Sequence, residues 1–193
     1  MSRIGPRDPA TGPLVGRRSL ADLLWVANTR HGPGGHWFAR VTRDDGDHDH
    51  LADAGDAVRY LAEHDVVVPP IPPDADALTG LAAIREMARG LLDPSAGWTP
   101  QAGAVLDRTR FRVDDAGRLA AEGDGWTAMV GDLLLPLLEL VRIRDRLAIC
   151  GNPACRLIFL DGSRNGTRRW CDDAGCGNRH RVRRFRRREA APA

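Results

Sequence analysis

The chain has 193 residues and no lysine, so its 28 Lys-plus-Arg positions are all arginine. The codon bias of a GC-rich genome accounts for the choice of arginine, but not for where the arginines sit. Aromatic side chains make up only 5% of the residues, which leaves Leu, Ala and Val to fill a core. No apolar run approaches the roughly 20 residues that a membrane-spanning helix needs. The opening "MSRIGPRDPATGP" lacks the apolar stretch of a secretory signal. These absences predict a soluble, cytoplasmic protein without a membrane partner. There is no phosphate-binding glycine loop, nucleophile elbow or dinucleotide fingerprint, so the sequence is read as that of a non-enzyme.

What is present is unevenly placed. Residues 1–141 carry 14 arginines against 21 Asp and Glu, a net of −7; residues 142–193 carry 14 against 5, a net of +9. Such asymmetry points to an anionic partner for the basic segment. All four cysteines (Cys150, Cys155, Cys171 and Cys176) lie in that segment. In a reducing compartment, clustered cysteines more often bind metal than form disulfides.

Upstream, the pattern is mainly helical. Residues 1–17 are rich in Pro and Gly and read as loose. Ser19 followed by Asp22 resembles a capping box, and Leu20, Leu23, Leu24 and Ala27 then form a helical stripe. A second helix is predicted over 52–64, with Ala57, Val58 and Leu61 inward. A third is predicted over 75–92, with Leu78, Leu81, Ile84, Ala88 and Leu91 on one face. Between them, "VVVPPIPPD" is an extended linker, since consecutive prolines forbid helix. Thr99-Pro100 marks the start of a short helix to about Arg108. A hairpin is predicted over 110–121 around "DDAG", then a helix over 126–141 kinked at Pro136. The acidic stretch "DDGDHDH" (44–50) fits neither an EF-hand nor a His-Glu-x-x-His helix and is read as a solvated loop. Trp25, Trp37, Trp98 and Trp126 are read as core.

The cysteines occur as Cys-x4-Cys, fifteen residues, then Cys-x4-Cys. Two such turns brought together give four thiolates in a tetrahedron, which suits one structural Zn2+. Between them, Leu157–Leu160 and Thr167–Trp170 are predicted to form a hairpin, and residues 178–188 a helix, in a treble-clef-like arrangement. The segment has few apolar groups, so metal binding would supply much of its folding free energy.

"CGNPACRLIFLDGSRNGTRRWCDDAGCGNRHRVRRFRRR" resembles the CGNR zinc finger of bacterial transcription regulators. The resemblance rests on Cys176-Gly177-Asn178-Arg179, on the Asp161-Gly162-Ser163 turn, on Arg168 to Cys171, and on the basic helix at the end. Such proteins carry upstream a helical ABATE domain implicated in stress responses. Here Asn28-Thr29 and Ile84-Arg85-Glu86 are similar to its motifs, while Leu23 to Trp25 stand where relatives have Asp-Phe. The resemblance implies a DNA-binding regulator. The chain then divides into a loose N-terminus (1–17), a helical ABATE-like sensor (18–145), the finger (146–188) and a tail (189–193).

On the terminal helix, Val182 and Phe185 share a face that can pack on the hairpin. Arg168, Arg169, Arg179, Arg183, Arg184 and Arg187 are the candidate nucleic-acid contacts, and Asn178 is read as the helix cap. DNA is the expected partner. The rivals are an RNA- or ribosome-associated binder, or an enzyme in the helical domain that the finger targets. A small-molecule effector for the helical domain and a homodimer complete the expectations.

Overall fold

The computed structural model describes residues 16–31, 48–92, 100–153 and 155–189. Helix α1 (Leu20–Ala27) starts as its sequence predicts: the Ser19 hydroxyl accepts from the Asp22 N–H, and the Asp22 carboxylate accepts from the Ser19 N–H. Strand β1 (Arg30–His31) pairs antiparallel with β2 (His48–Asp49). A 3-10 turn (His50–Ala52) leads into α2 (Ala54–Glu63), capped by Asp53, and α3 (Ala75–Gly90) is capped by Asp74. Helix α4 (Pro100–Arg108) follows; Thr99 lies outside the described residues. The hairpin around "DDAG" is present as β3 (Phe111–Val113) and β4 (Leu119–Ala121).

The helix predicted over 126–141 is two helices, α5 (Gly125–Asp132) and α6 (Leu134–Arg142). The break falls at Leu133 rather than at Pro136. Proline has no N–H to donate to the carbonyl four residues back, and for Pro136 that carbonyl belongs to Asp132, where α5 ends.

The central core joins α1, α3, α5 and α6, with Leu23, Leu81, Ile84, Met129, Leu133 and Leu137 fully buried. Of the tryptophans expected inside, Trp126 is buried and donates to the Ile71 carbonyl (2.6 Å), and Trp25 is half-buried. Trp37 and Trp98 lie outside the described residues.

The last sheet is β5 (Leu147–Ile149) with β6 (Ile158–Leu160), and here the predicted pairing changes. Residues 167–170 are not a strand of that hairpin; their backbone meets it at its connection, where the Gly151 N–H donates to the Arg169 carbonyl (2.8 Å), and the Arg168 and Trp170 side chains lie against it. The first cysteine pair sits in the β5–β6 connection, so the strand that leaves Cys155 pairs with the one that enters Cys150. Alternation along β6 then divides its side chains between two faces. Ile158 and Leu160, with Leu147, join the helical core; Leu157 and Phe159 pack with the cysteines. Helical part and finger thus share one two-stranded sheet.

The joint is polar as well as apolar. The buried Asn28 amide donates to the Ile158 carbonyl (2.9 Å) and accepts from the Ile158 N–H (2.8 Å), so one side chain completes the edge of β6. The Tyr60 hydroxyl donates to the Asn28 carbonyl (3.0 Å). Next to it, buried Arg85 grips Asp49 with two bonds (2.6 and 3.0 Å) and donates to Thr29 Oγ1 (3.3 Å). Burial alone would raise the Asp49 carboxyl, but hydrogen bonds from Arg85 and the Leu51 N–H outweigh it and hold it below the ordinary carboxylate range.

Two outcomes follow from these contacts. Asn28→Ala leaves the Ile158 N–H and carbonyl buried and unpaired and should destabilise the chain by about 1–3 kcal/mol in urea unfolding. Asp49, with a lowered carboxyl, contributes stability that is present above its unfolded value of about 3.9 and is lost as pH falls through the folded one. Asp49→Asn should therefore be less stable than the parent at neutral pH, with the gap closing below about pH 4 in unfolding curves taken across that range.

Candidate metal centre and nucleic-acid interface

The four cysteines converge because two turns face each other. In the first, the Asn152 carbonyl accepts from the Cys155 and Arg156 N–H groups (2.8 and 3.2 Å), and Arg156 adopts a left-handed φ of 51°. In the second, a wide π-type turn (Asp173–Gly177) leads into α7 (Asn178–Glu189). All four thiols are buried, and their sulfurs lie within 4.8 Å of one another. Cys155 Sγ is 3.6 Å from Cys171 Sγ, which is 3.8 Å from Cys176 Sγ. Disulfide sulfurs lie about 2 Å apart. Thiolates tetrahedral about zinc at about 2.3 Å are about 3.8 Å from each other. The spacing therefore fits one zinc ion with no open coordination position. Buried Asn152 donates from Nδ2 to Cys176 Sγ (3.5 Å), tying the first turn to a ligand of the second.

Two glycines lie at close approaches in the finger. A Cβ on Gly151 would sit 3.1 Å from the Trp170 indole and 3.2 Å from the Arg169 carbonyl. A Cβ on Gly177 would run into the Asp173 carboxylate. Asp161 organises the connecting loop, accepting from the N–H groups of Ser163 and Arg168 (both 2.8 Å). Burial would raise its carboxyl; the bonds from Ser163 and Arg168 hold it below the usual range.

Asn178 is not the helix cap. Its φ of −63° and ψ of −45° are helical, and the capping carboxylate is that of Asp172, which accepts from the Ala174 and Gly175 N–H groups. The helical run starts five residues earlier than 178, through the π-type turn, so the capping residue is Asp172. Nor do Val182 and Phe185 pack on the hairpin: they are 40% and 61% exposed. Both faces of that hairpin are already covered, one by the helical core and the other by cysteines and Trp170. Every residue of α7 is exposed.

The candidate arginines separate into two groups. Arg168 is engaged within the finger: it donates to the Trp170 carbonyl (2.8 Å) and the Cys171 carbonyl, and its guanidinium lies 5.0 Å from the Phe159 ring centroid. Arg169 lies over the Trp170 ring at 5.6 Å. Arg183 makes one long contact to Asn152 Oδ1 (3.5 Å). Arg179, Arg184 and Arg187 are exposed and have no ion pair among the described residues. Arg181, outside the candidate set, pairs with Asp173 through both carboxylate oxygens (3.0 and 3.3 Å) and ties the helix to its own turn. The Trp170 and His180 rings, 4.7 Å apart, add a second tie.

The stretch read as a solvated loop is ordered where it is described. His48 and Asp49 form β2 and His50 opens the 3-10 turn, with both imidazoles on Asp56; residues 42–47 lie outside the described residues. A cleft of about 460 Å³ lies between α3, α4 and α5, with Asp76, Arg108, Glu122 and Val130 in its walls.

Loss of one ligand should remove the metal. Co2+ substituted into the finger should give the intense sulfur-to-cobalt absorption of a tetrathiolate centre. Cys171→Ser should abolish that spectrum and, because β5–β6 is shared, lower the cooperativity of unfolding of the whole chain rather than of the finger alone.

A family model described as the CGNR zinc finger matches residues 146–189. No curated protein matches the chain. The match takes in all four cysteines and the whole of α7, so the C-terminal segment is similar to a CGNR zinc finger, and its buried cysteine cluster fits one structural zinc ion.

Proposed function

We propose that the chain is a zinc-dependent DNA-binding transcription regulator, a binding protein and not an enzyme, in which the finger contacts DNA and the helical part senses or assembles. The observation that carries this reading is α7: twelve residues in "NRHRVRRFRRRE", all exposed, with the N-terminal end anchored at the cysteine cluster. A helix this short is marginal in water by itself. Arginines three and four residues apart repel one another. Phosphates alongside would remove that repulsion, and the release of their counterions would supply affinity. The acidic start (Asp172, Asp173) and basic end suit the helix dipole, which helps hold the helix ready before it binds.

Duplex DNA is favoured over RNA by shape. The major groove of B-DNA admits a helix, whereas that of A-form RNA is deep and narrow. Arg184 and Arg187 are assigned to phosphates, Arg179 to a base edge or phosphate near the anchored end, and Arg169 and Arg183 to the flank. Arg168 is assigned to holding the finger. The cleft between α3, α4 and α5 is where a small effector fits, and a homodimer would double the DNA covered. Such a regulator acts in the cytoplasm, and its ABATE-like upstream motifs connect it with stress responses.

The test is a salt titration of duplex binding by the zinc-loaded chain. Arg184→Ala/Arg187→Ala should weaken binding to all sequences alike and reduce the slope of log affinity against log salt by about 0.9 for each phosphate no longer neutralised. An unchanged slope with zinc retained removes α7 from the interface. Tighter binding to structured RNA than to duplex DNA at matched salt moves the assignment to RNA.

A further inference from the structure

We propose that His48, His50 and Asp56 form a second metal site, in the helical part of the chain, which takes a divalent transition ion of the zinc or nickel kind. His48 lies in β2 and His50 opens the 3-10 turn, with the extended Asp49 between them, so the two imidazoles emerge on the same side. Asp49 between them points the other way, into the grip of Arg85. Asp56 comes from the first turn of α2, where its own N–H is held by Asp53 Oδ1 (2.8 Å). One ligand atom from each of the three lies within 4.8 Å of the others. His48 Nε2 is 2.7 Å and His50 Nδ1 2.9 Å from the same oxygen, Asp56 Oδ2.

Two imidazoles and one carboxylate suit zinc or nickel better than calcium or magnesium, which prefer oxygen ligands. Ligand atoms about 2.0–2.1 Å from a tetrahedral ion stand about 3.3 Å apart, so binding needs the cluster to open by roughly 0.5 Å. The half-exposed His48 can supply that movement by side-chain rotation. His50 is held in place: its ring stacks on Tyr60 at 4.1 Å and 25°. Arg59 pairs with the other oxygen, Asp56 Oδ1 (2.6 Å), and opposes a cation there; it is the most exposed member of the group, so it can swing into water when the ion binds. Three protein ligands leave at least one coordination position open, in contrast to the closed tetrathiolate centre.

The experiment is an isothermal titration of tag-free, zinc-loaded full-length protein with Zn2+. The parent chain should bind one further equivalent beyond the finger's ion. His48→Gln and Asp56→Asn should each weaken that equivalent by at least about tenfold, while the finger's zinc is retained and reports an intact fold. His48, on the surface, decides the matter should Asp56→Asn disturb α2. Absence of a second equivalent, or a second equivalent unchanged in His48→Gln, overturns the proposal.

Discussion

Four thiols buried around one point are tolerable as thiolates only if a cation lies between them. Everything downstream of α6 depends on that constraint. It brings the β5–β6 connection and the π-type turn face to face, and it fixes where α7 begins. Around the sulfurs there is little else to stabilise the segment: Leu157, Phe159, Ala148 and part of Trp170. The glycines and carboxylates nearby all serve the same convergence. Gly151 and Gly177 allow the chain to pass Trp170 and Asp173, while Asp161 and Asp172 collect the backbone N–H groups that the two bends leave without partners.

The helical part meets this construction through the same two strands. One face of β5–β6 is core for the helices and the other is a wall of the cysteine site, so the finger is not an appendage on a linker. Asn28 strengthens the joint by satisfying both backbone groups of Ile158, and Tyr60 secures Asn28 in turn. Burying so many polar groups at one seam is costly unless each is paired, and here Asn28, Thr29 and Arg85 are paired with one another's surroundings. Helix α1, and α2 through Tyr60, are thus joined by hydrogen bonds to the strand that leads from Cys155. Helix α7, by contrast, is tied among the described residues through its first half, by Arg181 to Asp173, by the Trp170–His180 contact and by the long Arg183–Asn152 contact. That leaves its basic length free for a partner.

Features set by local chemistry are legible in the sequence. The capping box at Ser19, the amphipathic stripes of α1 and α3, the "DDAG" hairpin and the metal-binding cysteine spacing each depend on residues close together in the chain, and each is found where its pattern places it. The charge division between the two segments is likewise a property of the sequence alone. Features that depend on which surfaces are already occupied are not legible there. Residues 167–170 have the composition of a strand, yet the edge of β6 is taken by β5 and Asn28. Val182 and Phe185 have the spacing of a packing face, yet the hairpin has no face left to offer. Asn178 has the chemistry of a cap, but the helical turn has already begun at Asp173. Arg168 looks like its neighbours in sequence and is distinguished only by the carbonyls that fold back around it. His48 and His50 read as loop residues until α2 brings Asp56 beside them. A sequence specifies what each side chain can do; competition for space and partners in the tertiary structure decides which of those possibilities is realised.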